Sequence, residues 1–191
     1  MRLHKSVYAS LLGLAAASPV PSPGHEDTTS PSCADTSFTN FTWEVRAFQY
    51  RAAYIFSTPV DQISWGYVTF ELFNPADQTT THCEASSNVL PEFFYGNIQY
   101  TCNNTARGGE TKFNYDRPGG NRLSVEQHWA CEDGAYPIYF TGRGDVNLTT
   151  SCTDGLWENP NWKIGDLYST RRINCEPISS PVVPTEISGI A

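Results

Sequence analysis

TKFNYDRPGGNRLSVEQHWAC, running from Thr111 to Cys131, decides the fold class. Thr111, Phe113 and Tyr115 alternate with Lys112, Asn114 and Asp116. After RPGGNR the alternation resumes as Leu123, Val125, Gln127, Trp129 and Cys131. A period of two places one set of side chains on each face of a strand, so the pattern reads as two half-buried β-strands. Gly119 and Gly120 between them supply the positive φ of a hairpin turn.

The same signature recurs outward from this hairpin. FTWEV (41–45), GYVTFELFN (66–74), NIQYTC (97–102), VNLTTSC (146–152) and DLYSTRRINC (166–175) all alternate, and NPADQTTTHC reads as a further turn. No window of helical length keeps a 3.6 period, so the expectation is an all-β, antiparallel barrel or sandwich. At most one helical turn is expected, near Ser86 to Phe93.

The ends read differently. Arg2, His4 and Lys5 precede the apolar run Val7 to Ala17, and Ala15-x-Ala17 is a small-residue cleavage signature. Residues 1–17 are therefore predicted to be a secretory signal peptide. Residues 18–32 form a Pro/Ser/Thr-rich leader, residues 33–176 one β-domain, and residues 177–191 a second disordered tail. No other apolar run is long enough to cross a bilayer. Cleavage would remove Arg2 and Lys5 and make the charge more negative than −8. Such a balance speaks against nucleic acid and anionic membranes as partners.

The six cysteines, Cys33, Cys83, Cys102, Cys131, Cys152 and Cys175, are dispersed and show no C-x-x-C pair. In a secreted chain that pattern implies three disulfides rather than a metal site. Six cysteines allow fifteen pairings. Ranking by neighbouring strands gives Cys83–Cys102, Cys131–Cys152 and Cys33–Cys175. Sequons at Asn40, Asn103 and Asn147 permit N-glycosylation.

An early W-x-V-x-x-F (Trp43, Val45, Phe48) leads to V-x-F-x-L-x-N (Val68, Phe70, Leu72, Asn74). Cys83-x-Ala85, Tyr100-x-Cys102, Phe113-x-Tyr115 and L-x-V-x-Q (Leu123, Val125, Gln127) follow. This order, over roughly Cys33 to Cys152, resembles the fungal Alternaria major-allergen family of small secreted proteins. The resemblance implies a compact β-barrel, and a secreted allergen, elicitor or effector that meets a plant or host extracellular protein. It also implies a small phenolic ligand at an oligomer interface, and so a homodimer. Cys83 and Cys102 occupy the family's first disulfide position, and Cys33 matches a cysteine used between subunits. Cys131 and Cys175 depart from the family pattern.

No catalytic constellation stands out. H-E-x-x-H and G-x-S-x-G are absent, and nothing pairs any two of Glu71, Glu92, Glu110, Glu126 and Asp145. The expectation is a protein without enzymatic activity, cofactor or metal. His82 is read as lying in a turn, and His82 and His128 as surface or hydrogen-bonded residues. Two aromatic stretches read as loops that could form an interface: EFFYGN, with Phe93 and Phe94, and LWENPNW, with Trp157 and Trp162. The alternative to protein binding is a carbohydrate-binding wall protein or weak wall hydrolase. Arg143-Gly144-Asp145 is read as a tight turn rather than an integrin ligand, because glycines flank Arg143 and Asp145 suits a turn.

Overall fold

The computed structural model describes residues 31–39, 41–103 and 109–191. The predicted signal peptide, the leader up to residue 30 and Asn40 lie outside them. Two antiparallel sheets pack face to face. The first is ordered β3 (Thr79–Ser87), β2 (Gln62–Asn74), β1 (Trp43–Phe56), β9 (Ser169–Cys175), β8 (Cys152–Glu158). The second is ordered β11 (Pro184–Ile190), β7 (Ile138–Asn147), β6 (Arg122–Cys131), β5 (Thr111–Asp116), β4 (Tyr100–Thr101). The 111–131 hairpin forms as read, with Phe113 opposite Val125 and Tyr115 opposite Leu123. Gly120 takes the positive φ at its turn, and Asn121 rather than Gly119 takes the second. Neither sheet closes on itself, so the fold is a sandwich and not the barrel of the resemblance.

The core is aromatic because strands from both sheets turn large rings inward. Phe70 meets Phe113 edge-on at 5.0 Å, Phe48 meets Tyr115 at 5.2 Å, and Trp129 stacks on Phe140 at 5.5 Å. Ring pairs of this kind add a little to the larger benefit of burying their area. Asn74 and Gln127, both fully buried, join the sheets across this core. The Asn74 amide donates to Gln127 Oε1 (3.0 Å) and Gln127 donates to Thr111 Oγ1 (3.2 Å). The polar residues that end two of the sequence motifs thus satisfy each other, as buried amides must.

Trp43 and Val45 point inward, and so do Phe48, Tyr50, Ala52 and Tyr54. The change of phase is a β-bulge, with Ala47 at φ 51°. On one side β1 takes two partners in turn, β10 (Ile178–Val182) from Trp43 to Phe48, across the bulge, and β9 from Arg51 to Phe56.

Four expectations are corrected. The tail from 177 is not disordered. It forms β10 and β11, one strand for each sheet, and its Pro/Ser-rich composition hides a fully buried Val182. The helix among the described residues is α1 (Cys33–Phe38), which was not expected; within 86–93, Ser86 and Ser87 belong to β3 and the Phe93 amide closes a single turn on the Val89 carbonyl (2.7 Å); Ser32, read as leader, caps α1 by accepting from the Asp35 amide. The disulfides are Cys83–Cys102, as expected, with Cys33–Cys131 and Cys152–Cys175 in place of the other two. Cys131 ends β6 in one sheet whereas Cys152 opens β8 in the other, so these two are not strand neighbours. Cys152 lies directly opposite Cys175 in the ladder, and Cys33 reaches Cys131 because α1 packs at the end of β6.

The Arg143-Gly144-Asp145 stretch is the fourth. It makes no turn and runs through the middle of β7, between β6 and β11. Its glycines serve packing. A Cβ on Gly142 would lie 2.8 Å from the Trp43 ring, and one on Gly144 would lie 2.8 Å from the Val183 carbonyl oxygen.

Candidate functional site

The strand periods leave two outer faces, and their chemistry differs. On the second sheet the outward residues form ion pairs across the strands. Arg143 donates to Glu126 (2.8 Å) and Glu186 (3.3 Å), and Arg122 donates to Asp145 (3.1 Å). His128 lies between Glu126 (3.2 Å) and the Thr141 hydroxyl (2.9 Å). The Arg143 hydrogen bond holds the Glu126 carboxyl below its usual range. The charged groups of the Arg-Gly-Asp stretch are therefore engaged within this ladder.

On the first sheet the ladder places outward residues in three rows. Ile63, Ile55, Thr170 and Trp157 make the first; Trp65, Ala53, Arg172 and Gly155 the second; Tyr67, Arg51, Asn174 and Thr153 the third. Three rings therefore stand on a sheet face that no other element of the described residues covers. β8 is exposed along its whole length, because the second sheet does not extend beneath it. A shallow cavity of about 380 Å³ lies over β8 and β9, lined by Gly155, Trp157, Thr170, Arg172, Thr153 and Asn174 among others.

One end of this sheet is apolar. The β1–β2 turn carries Val60 (87% exposed) just before Ile63 of β2, and the β8–β9 connection carries Ile164 (93% exposed) and Leu167. The two loops are tied together. Trp162 Nε1 donates to the Ser57 carbonyl (3.2 Å), and the Tyr168 amide donates to the Phe56 carbonyl (2.9 Å).

These positions sort the sequence candidates. Trp157 is half exposed, at the rim of the face. Trp162 is spent on the loop contact and meets Tyr168 edge-on at 5.7 Å. Phe93 and Phe94 are 1% exposed, against Tyr54 and Tyr50 respectively, so they are core and not interface. Asn103 and Asn147 are exposed. His82 is on β3, not in a turn, 3.6 Å from Glu84. Trp65 and Tyr67 were missed although a signal existed. Ile63, Trp65 and Tyr67 alternate in the opposite phase to the core residues Val68, Phe70 and Leu72, which puts rings where a half-buried strand normally shows polar groups.

The acidic candidates are dispersed. Glu92 pairs with Arg117 (2.9 Å), Glu110 with Lys112 (2.6 Å), Glu126 with Arg143 and Asp145 with Arg122. The buried phenol of Tyr115 is pushed up to about 12 by desolvation, and Tyr50 is raised for the same reason. Both stay protonated near neutral pH. Among the described residues no three His, Cys, Asp or Glu side chains come together as a metal site, and no helix is long and apolar enough to cross a membrane.

No curated protein and no solved structure gives a significant match to the chain. A family model does, that of Alternaria alternata allergen 1, over residues 39–175. The match takes in β1 to β9 and stops before β10, so the aromatic face is wholly inside it and the two closing strands are outside it. The chain belongs to the Alternaria alternata allergen 1 family.

Proposed function

We propose that the protein is a secreted, non-enzymatic fungal effector or elicitor that docks an extracellular host protein through the apolar end of its first sheet. The carrying observation is the set of exposed apolar residues Val60, Ile63, Trp157 and Ile164 at and beside two hairpin tips that are bound to each other. Contiguous exposed apolar surface of this kind marks interaction sites. A Trp at its rim supplies contact area at low entropic cost. Secretion is supported by three disulfides in a chain without free cysteines. The absence of activity is supported by four of the five candidate acids, all but Glu71, being tied to a cation, where a glycosidase needs two acids held facing one bond.

Affinity capture tests the reading. The disulfide-bonded protein is offered plant apoplastic fluid beside a Val60→Ser, Ile164→Ser, Trp157→Ala variant whose melting is unchanged. The expected outcome is a host protein retained by the parent and released by the variant. Equal retention by both sinks the assignment of the surface.

A further inference from the structure

The middle of the same face carries charge that the docking surface does not explain. Seven arginines are described. Five of them, Arg46, Arg117, Arg122, Arg143 and Arg171, each have a carboxylate partner. Arg51 and Arg172 have none among the described residues, although the chain carries 20 acids against 12 bases. Arg51 donates only to Gln49, through both Nε and a terminal nitrogen. Both arginines are exposed, and both stand on the outer face of the first sheet.

Their placement is specific. Arg172 lies opposite Ala53, two residues along β1 from Arg51, so the two are diagonal neighbours about 7 Å apart at the backbone. Tyr67 lies directly opposite Arg51 on β2. In the second row Arg172 stands between two low points, the methyl of Ala53 and the bare backbone of Gly155, where an added Cβ would meet nothing within 4 Å. The row is thus a shallow trough with Arg172 rising from its floor, and the cavity over β8 and β9 occupies its Gly155 side. Trp157 and Ile55 wall one side, Tyr67 and Arg51 the other, and Trp65 closes its end. The next acids on this face, Glu84 and Glu176, lie beyond the third row and mark where the cationic zone stops.

Rings spaced along a shallow, open trough suit flat sugar rings, and the neighbouring Asn174 amide and Thr153 and Thr170 hydroxyls suit their hydroxyl groups. Two guanidinium groups without a carboxylate partner among the described residues suit repeated carboxylates, which they bind through paired hydrogen bonds. We propose that Arg51 and Arg172, set among Trp65, Tyr67 and Trp157, form a binding site for a uronic-acid oligosaccharide. An acidic peptide fits the charge but not the trough, which offers rings and polar groups at one level and no deep pocket for an anchoring side chain. Trp157 is shared with the docking surface but Arg51, Arg172 and Trp65 are not, so variants at these three test the site separately from the host-protein reading.

Calorimetric titration of the full disulfide-bonded protein tests it with three probes: a galacturonate oligomer, a neutral glucan oligomer of equal length, and a poly-glutamate peptide. The galacturonate oligomer is expected to bind in a salt-sensitive manner and the glucan at least tenfold more weakly. The double variant Arg51→Gln, Arg172→Gln is expected to lose at least tenfold in affinity with unchanged melting. Trp65→Ala is expected to weaken the galacturonate oligomer alone. Arg51→Lys, Arg172→Lys keeps the charge and is expected to fall between parent and glutamine variant. The proposal is overturned by equal binding of glucan, by poly-glutamate binding as well as galacturonate, or by glutamine variants that bind like the parent.

Discussion

The two outer faces of this sandwich solve the same problem in opposite ways. The second sheet covers its outer side with Glu186, Arg143, Glu126 and Lys112 in neighbouring strands, each cation beside an anion. The first sheet shows Ile63, Trp65, Tyr67 and Trp157, with two arginines that no carboxylate of the described residues neutralises. A laddered face satisfies itself and offers little to a partner. A face of rings and free cations keeps interaction capacity in reserve. Both arise from the same period-two strands over one aromatic core, so the difference lies in which residues fill the outward phase.

Disrupting the anchor of the first face should have the largest effect. Cys152→Ser with Cys175→Ser removes the link between β8 and β9, and a loss of about 3 kcal/mol in denaturant unfolding is expected. Amide exchange should rise in β8 well before β7. Uniform exchange in both would mean that the faces are not separately anchored. Gly142→Val strikes beneath the second face, driving a side chain into Trp43 and Trp129. A cost of about 2 kcal/mol is expected, measurable as a lower denaturation midpoint. A neutral result would show that the ring packing under β7 is loose.

Trp157→Ala should leave stability within about 0.5 kcal/mol and lower host-protein retention about tenfold, or about 1.4 kcal/mol. Arg143→Gln, its counterpart on the laddered face, should leave retention unchanged. Equal losses from the two would erase the distinction drawn between the faces. The smallest effect is pH-dependent. The Arg143 hydrogen bond lowers the folded-state pKa of Glu126 from the ordinary 4.5. Its contribution is therefore present above that value and is lost as pH falls through the lower folded value. Unfolding at pH 6 and pH 3 should show Glu126→Gln losing less on acidification than the parent, by under about 1 kcal/mol for so exposed a pair.

Much of the fold was legible because alternation is a local signal. The 111–131 hairpin, the sheet class and Cys83–Cys102 all follow from residues close in sequence. The bulge left a signal that went unread, since the three-residue step from Val45 to Phe48 breaks the period in W-x-V-x-x-F. What failed depended on which strand joined which sheet. Cys131 and Cys152 are near in sequence, but the chain changes sheets between them. Ile178 to Ile190 lacks strand composition and is ordered by β1 and β7, which are far from it in the chain. Phe93 and Phe94 sit in a turn-rich segment that folds back over the core, and no local pattern distinguishes that from an exposed loop. Arg51 and Arg172 become a pair only through the register of β1 with β9.

The two-partner first strand also sets a timetable. β1 precedes every other described strand, yet the neighbours on one of its sides, β9 and β10, follow it by more than a hundred residues. The Gln49 side chain reaches the carbonyl of Cys175, 126 residues away, and Cys33 waits across 98 residues for Cys131. Contacts of that span are slow to form. The central strand of the first sheet thus stays half-paired during synthesis until β9 and β10 have emerged, and its open edge is a hazard for as long as that wait lasts.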